Sequence, residues 1–263
     1  MLLVLDVGNS NTVIGVCDEG AWVVDWRIET RKHITEDEYG VLIRNLFRLT
    51  PLTFELVTGI CISCVVPPLL FVLEAMSKKY FGVQPLIVGP GVKTGMPILY
   101  DNPREVGADR IANAIGALGK YEPPCIVVDF GTATTFDAIS ARGEYLGGAI
   151  APGIMISTEA LFEHASKLPR VELLRPRSVI GKNTVHSMQA GLIYGYVGLV
   201  NELVRRMQKE LRADTTVIAT GGLARIIAEE SEVIQIVDPN LTIDGLRLIY
   251  ERNRSAEPAG RAE

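Results

Sequence analysis

The sequence predicts an α/β protein built from two related halves. Short apolar runs of strand length alternate with longer stretches of helical periodicity. An Asp-x-Gly hairpin signature also occurs twice, with similar surroundings each time. Leu5-Asp6-Val7-Gly8-Asn9-Ser10-Asn11-Thr12 and Val128-Asp129-Phe130-Gly131-Thr132-Ala133-Thr134-Thr135 lie 123 positions apart, an offset that also pairs Gly20 with Gly143 and Trp22 with Tyr145. Each copy reads as an apolar strand ending in an acidic residue, a small polar loop and a second strand.

The first half opens with strands over residues 2–7, 12–17 and 21–28, the last two joined by the turn Asp18-Glu19-Gly20. Thr35 and Glu38 then form a capping box at a helix start, with Val41, Leu42, Leu46 and Leu49 expected inward and a stop before Pro51. A strand over 56–66, a helix opened by Pro67-Pro68 and a short strand over 85–88 follow. The turn-rich connector 89–102 contains Gly89-Pro90-Gly91-Val92-Lys93-Thr94, which lacks the Gly before Lys that a P-loop needs.

A helix over 104–120 leads into the second half, where strands over 125–128, 134–140 and 145–150 repeat the opening. Then come a helix over 154–165, a basic loop over 167–182 and a long helix over 184–211. A strand over 216–220, Gly221-Gly222, a short helix, a strand over 233–237 and a helix over 242–252 complete the pattern. The expected domains are 1–118 and 119–254, with the active site in the cleft between them. Residues 255–263 lack apolar anchors and are expected to be disordered.

Composition narrows the function. With 263 residues, 48% hydrophobic and 22% charged, the chain has room for one large or two small domains. A net charge of −5 argues against nucleic acid as the main partner. No run of about 18 apolar residues offers a membrane span, and the start lacks the basic segment of a signal peptide. Cytoplasmic residence is the expectation. Cys61 and Cys64 match C-x-x-C, but they sit in a strand, where positions three apart face opposite ways, so all four cysteines read as core thiols.

The chemistry gathers at three places. Gly in each hairpin lets the backbone approach a ligand, and the Asn, Ser and Thr groups can hold phosphate oxygens. Asp at each strand end suits a cation rather than the phosphate, which it would repel. Thr220-Gly221-Gly222-Leu223 at a strand-to-helix junction offers a third wall for a nucleotide. Gly107-Ala108-Asp109-Arg110 adds an Asp able to accept a hydroxyl proton and an Arg able to clamp an anion; the same pair suits an ordinary helix start. Gly191, Gly195 and Gly198 permit close packing of the long helix, in a core or across a dimer seam.

These segments resemble the phosphate and adenosine motifs of the actin, Hsp70 and sugar kinase superfamily, whose fold is a duplicated ribonuclease H-like domain. More closely, the chain resembles the type III pantothenate kinase family from about Leu3 to Leu248. Ser63-Cys64-Val65-Val66-Pro67-Pro68, Gly147-Gly148-Ala149-Ile150-Ala151-Pro152-Gly153, Leu168-Pro169-Arg170-Val171 and Gly181-Lys182-Asn183-Thr184 carry the likeness beyond the motifs above. Ser10 stands where the family usually has Thr, and Cys64 where Ser is common.

The resemblance implies ATP-dependent phosphorylation of the primary hydroxyl of pantothenate, the first step towards coenzyme A. It casts Asp6, Val7, Gly8, Asn9, Ser10, Asn11, Thr12 and Val13 as the ATP phosphate loop, with Thr132 as a further ATP contact. It casts Asp109 as catalytic base and Asp129 as ligand of an activating monovalent cation, potassium or ammonium. Tyr100, Gly107, Ala108, Asp109, Arg110 and Thr184 resemble pantothenate contacts. A homodimer using Mg2+ with ATP is implied. The alternatives are a regulator like those of the related Bvg accessory factor group, or another small-molecule kinase of the superfamily.

Overall fold

The computed structural model describes residues 1–254; the expected tail over 255–263 lies outside them. The chain forms two compact units. The first unit is built from Met1–Met96, Asp101–Gly119 and the final helix, and the second from Pro97–Tyr100 and Lys120–Asn240.

In the first unit β1 (Leu2–Val7), β2 (Asn11–Asp18) and β3 (Ala21–Glu29) form an antiparallel meander. Helix α1 (Glu36–Phe47) carries the chain to β4 (Gly59–Cys64), which runs parallel to β1 as a helical crossover permits. Helix α2 (Pro67–Met76) and β5 (Leu86–Ile87) complete a sheet of order β3-β2-β1-β4-β5. Leu3, Leu5 and Val7 of β1 pack with Ile60 and Ile62 of β4 against Tyr39, Ile43, Phe47, Leu69 and Leu73 of the helices. Side chains alternate along a strand, so Leu2, Val4 and Asp6 face the opposite side.

After α3 (Ala108–Lys120), the second unit builds the same arrangement. Strands β6 (Cys125–Phe130), β7 (Ala133–Ile139) and β8 (Tyr145–Pro152) form its meander. Helices α4 (Ile154–His164) and α5 (Thr184–Leu211) follow, then β9 (Thr216–Gly221), α6 (Ala224–Ala228) and β10 (Ile236–Val237). The sheet order β10-β9-β6-β7-β8 is the first sheet's order read from the other edge, with β6 and β9 parallel. Ile126, Val128 and Phe130 of β6 pack with Val197, Val200 and Val204 of α5.

The duplication predicted from sequence is therefore one of topology, with one change of register. Val7 faces Thr12 and Asp6 faces Val13, whereas Phe130 faces Thr134 and Asp129 faces Thr135. The second hairpin loop is one residue shorter, so Thr12 corresponds to Thr134 rather than to Thr135. A longer turn after β7 restores the offset by Tyr145.

The last helix, α7 (Leu241–Arg254), differs from the sequence expectation, which placed everything over 119–254 in the second domain. It belongs to the first unit. Gly116 of α3 and Gly245 of α7 bring the two backbones into contact: a Cβ on Gly116 would overlap the Leu241 carbonyl, and one on Gly245 the Ala112 carbonyl. The Thr242 hydroxyl donates to Asn113 Oδ1 at 2.6 Å, and Trp22 Nε1 donates to Asp244 Oδ1 at 2.7 Å.

Two smaller expectations also change. The capping box at α1 forms, with the Thr35 N–H donating to Glu38 Oε2 at 2.9 Å and the Glu38 N–H to Thr35 Oγ1 at 3.3 Å. Leu42 and Leu46 pack against the core as expected, but the fully buried face is Tyr39, Ile43 and Phe47, while Val41 and Leu49 are 54% and 78% exposed. Two aromatic rings on an i, i+4, i+8 stripe bury more area than the aliphatic stripe and set the helix rotation. The strand expected over 56–66 shortens to β4 because Phe54–Leu56 coil into a 3-10 turn. Phe54 there stacks at 4.2 Å on Phe81 and meets Phe47 edge-on at 5.0 Å between centroids.

Candidate active site

The first hairpin closes with the Gly8 N–H donating to the Asn11 carbonyl at 3.0 Å, and the Thr30 N–H pins the Ser10 carbonyl at 3.0 Å. This leaves Asn9, Ser10 and Asn11 exposed at the strand ends, with Asp6 half-buried below them. Not every residue expected to serve ATP points outward. Val7 is a core side chain, and the Thr12 hydroxyl is fully buried, 2.9 Å from Thr30 Oγ1 and 3.3 Å from Tyr39 Oη. Burial pushes the Tyr39 hydroxyl pKa up, against a smaller lowering by Thr12. Thr12 thus braces the loop from below. Sequence reasoning missed Thr30 and Tyr39 as its partners, because they come from β3's end and α1, distant in the chain.

Asp109 lies in the first turn of α3, half-buried, and its Oδ1 accepts the Arg110 N–H at 2.8 Å. The same oxygen stands 2.5 Å from where a Cβ on Gly107 would lie, so Gly107 makes room for this carboxylate orientation. The Gly107 carbonyl accepts the Ile111 N–H at 3.1 Å and starts the helix. Arg110 is buried, 7% exposed. The hairpin 6–13 and the segment 107–110 belong to one unit.

The second unit holds Tyr100, Asp129, Thr132 and Thr184. Its hairpin closes with the Gly131 N–H donating to the Ala133 carbonyl at 3.1 Å. Asp129 sits beside Thr220 in the parallel β6–β9 pairing. Its Oδ1 lies 2.6 Å from where a Cβ on Gly221 would stand and 3.8 Å from that of Gly131. Gly221 has φ +91°, which a side chain would strain in any case. The Thr-Gly-Gly segment and the second hairpin therefore meet. Helix α6 beyond them has only five residues, so what this segment contributes is space beside a carboxylate, not a helix terminus. Thr184 is exposed at the first position of α5, whose N-cap Asn183 accepts the His186 N–H at 2.8 Å.

The cysteines are placed as core thiols: Cys17, Cys61 and Cys125 are buried and Cys64 is half-buried. Burial pushes the Cys61 thiol up to about 12 and the Cys125 thiol up to about 11, away from nucleophilic use. Among the described residues no three His, Cys, Asp or Glu side chains gather into a metal-binding group.

Two duplicated α/β units, each with an Asp-x-Gly hairpin between its first two strands, define the architecture of the actin-like ATPases and sugar kinases. MreB 5 of Spiroplasma citri, solved with AMPPNP, shares this fold, with a TM-score of 0.56 at 11% identity, covering 97% of each chain. A conserved Baf family protein from Campylobacter jejuni shares it at TM-score 0.60 and 21% identity, covering 96% of this chain and 99% of the other. The sequence profile described as type III pantothenate kinase matches residues 2–206. A type III pantothenate kinase of Geobacter sulfurreducens is 61% identical over 254 residues, 97% of this chain and all of that protein. The chain belongs to the type III pantothenate kinase family. Its activity is ATP-dependent phosphoryl transfer to pantothenate, giving 4'-phosphopantothenate, the first step of coenzyme A synthesis.

Proposed function

We propose that the family's reaction is divided among the residues as follows. Asn9, Ser10 and Asn11 hold the ATP phosphates, with Gly8 letting the loop come close to them, and Thr132 adds a contact from the second hairpin. The pantothenate hydroxyl attacks the γ-phosphorus, forming the new O–P bond as the bond to the ADP oxygen breaks. Asp109 takes the hydroxyl proton. Tyr100, the segment 107–110 and Thr184 hold pantothenate, with Arg110 as a fixed positive charge for its carboxylate.

The observation that carries this reading is Asp109 itself. Its carboxylate is anchored through one oxygen by the Arg110 N–H and supported by a glycine too small to displace it. A base held in one orientation suits a transfer that depends on alignment more than on covalent chemistry.

The cations fit the groups present. Asp129 is a carboxylate at a strand end, with Gly221 giving its Oδ1 room at 2.6 Å from where a Cβ would stand, and this supports reading it as a ligand of a potassium or ammonium ion. Asp6 stands at the equivalent strand end. Without a cluster of carboxylates among the described residues, magnesium would draw its ligands mainly from phosphate and water. Cations held there would supply positive charge to offset the charge of the transferring phosphoryl group.

A homodimeric state is what the resemblance implies, and the reaction's use of ATP and potassium supports residence in the cytoplasm. No helix among the described residues is long and apolar enough to cross a membrane. Gly191, Gly195 and Gly198 support the dimer, since a Cβ on any of them would meet nothing within 4 Å in this chain.

ADP release with pantothenate, with and without potassium, tests this reading. Turnover should require pantothenate rather than glycerol or sugars and should rise with potassium. Asp129→Ala should abolish the potassium dependence; an unchanged potassium titration would refute the cation assignment.

A further inference from the structure

The two units repeat each other down to a β-bulge, yet different residues stand beside it. In the first, the pairing of β2 with β3 slips between Val16 and Cys17, where Trp22 faces Cys17. The Trp22 ring covers Gly15, with Cζ3 2.7 Å from where a Cβ would lie. In the second, the pairing of β7 with β8 slips between Ala138 and Ile139, where Tyr145 faces Ile139. The residue matching Gly15 there is Asp137: Gly15 pairs with Val4, and Asp137 with the corresponding Val127.

Asp137 and Tyr145 are both fully buried. The Tyr145 hydroxyl donates to Asp137 Oδ1 at 2.7 Å, and the Thr135 hydroxyl to Oδ2 at 3.4 Å. A buried carboxylate is costly even when hydrogen-bonded, and the first unit shows that the same bulge forms with glycine and tryptophan. The second unit therefore carries this pair for something other than the bulge.

Tyr145 also holds the segment that ends in Tyr100. The Tyr145 N–H donates to the Pro97 carbonyl at 2.9 Å, and the Leu99 N–H donates to the Tyr145 carbonyl at 2.8 Å. The segment Pro97–Tyr100 is thus fastened to both sides of one residue. The Tyr100 ring lies 6.4 Å from the Tyr145 ring between centroids and 3.2 Å from where a Cβ on Gly147 would stand. In the first unit Trp22 is instead tied through its Nε1 to Asp244.

We propose that Asp137 and Tyr145 are positioning residues for the acceptor substrate: Asp137 fixes the Tyr145 side chain, and Tyr145 fixes Tyr100 by its backbone and its ring. The proposal rests on the reading of Tyr100 as a pantothenate contact. A small displacement of a substrate-positioning group weakens its contact without touching the reacting atoms.

Steady-state kinetics of the full chain, with pantothenate and ATP varied separately, tests it. Tyr145→Phe should raise KM for pantothenate about tenfold, with KM for ATP and kcat within about twofold. The double change Tyr145→Trp with Asp137→Gly, which installs the first unit's pairing, should do the same. Tyr100→Ala should also raise KM for pantothenate, and Tyr145→Phe should add nothing on that background, since coupled residues are not additive. If Tyr100→Ala leaves that KM unchanged, the substrate contact itself is removed, and the proposal with it. If Tyr100→Ala raises KM while Tyr145→Phe does not, the positioning role alone is overturned. Equal rises for both substrates, or loss of folded protein in both Tyr145 variants by circular dichroism, would likewise reduce the pair to a structural role.

Discussion

Asp109 shows how much chemistry one backbone hydrogen bond can arrange. The Arg110 N–H engages Oδ1 at 2.8 Å, so rotation of the carboxylate is restrained before any substrate arrives. Replacing it with Asn keeps the shape and this acceptor while removing the proton acceptor. Asp109→Asn should therefore lower kcat roughly a hundredfold or more, a range typical for loss of a general base, while ATP binding by calorimetry is retained. Near wild-type turnover in a coupled ADP assay would rule out the assigned role. At this scale the sequence was a good guide to residue type and a poorer one to direction. Asp6 and Asp129 could be singled out because a repeated acid at a strand end before glycine is a local signal, whereas Asp109 equally suited a helix start and drew its role from the resemblance. That the Thr12 hydroxyl turns into the core towards Thr30 and Tyr39 depends on residues brought together only by the fold. Asp137 had a visible signal, an acid inside the apolar run Val127–Val128 must pair with, in Phe136-Asp137-Ala138-Ile139, but its partner Tyr145 sits on the next strand.

Among the elements, α3 and α7 cross in direct backbone contact. Gly116 and Gly245 let the backbones touch, and the neighbouring atoms are carbonyls that cannot rotate away. Gly245→Val should destabilise the protein by about 3 kcal/mol, lowering Tm by roughly 6–12 °C in a thermal melt. An unchanged Tm would mean that the helices can separate at little cost. The elements themselves were largely legible: Pro67-Pro68 opens α2, Thr35 caps α1, and α5 runs as periodicity predicts, because caps, breakers and apolar spacing are local. The attachment of α7 was not legible. It depends on two glycines about 130 positions apart in the chain and on Trp22 reaching Asp244, and no local pattern announces such a pairing.

For the whole molecule, the repeated topology supplies two hairpins of one design that differ in detail. The first keeps a longer polar loop; the second has Thr135 opposite Asp129 where the first has Val13 opposite Asp6. The proposed dimer through the glycine face of α5 is open to test. Light scattering should give twice the chain mass, and Gly195→Glu should shift the protein towards single chains; a single-chain mass for the unaltered protein would refute the dimer. The return of α7 to the first unit also has a consequence for biosynthesis. The second unit, Pro97–Tyr100 with Lys120–Asn240, is complete once Asn240 leaves the ribosome and can fold then. The earlier-made first unit must wait for Leu241–Arg254 to cover Gly116, so the half translated first is the half completed last.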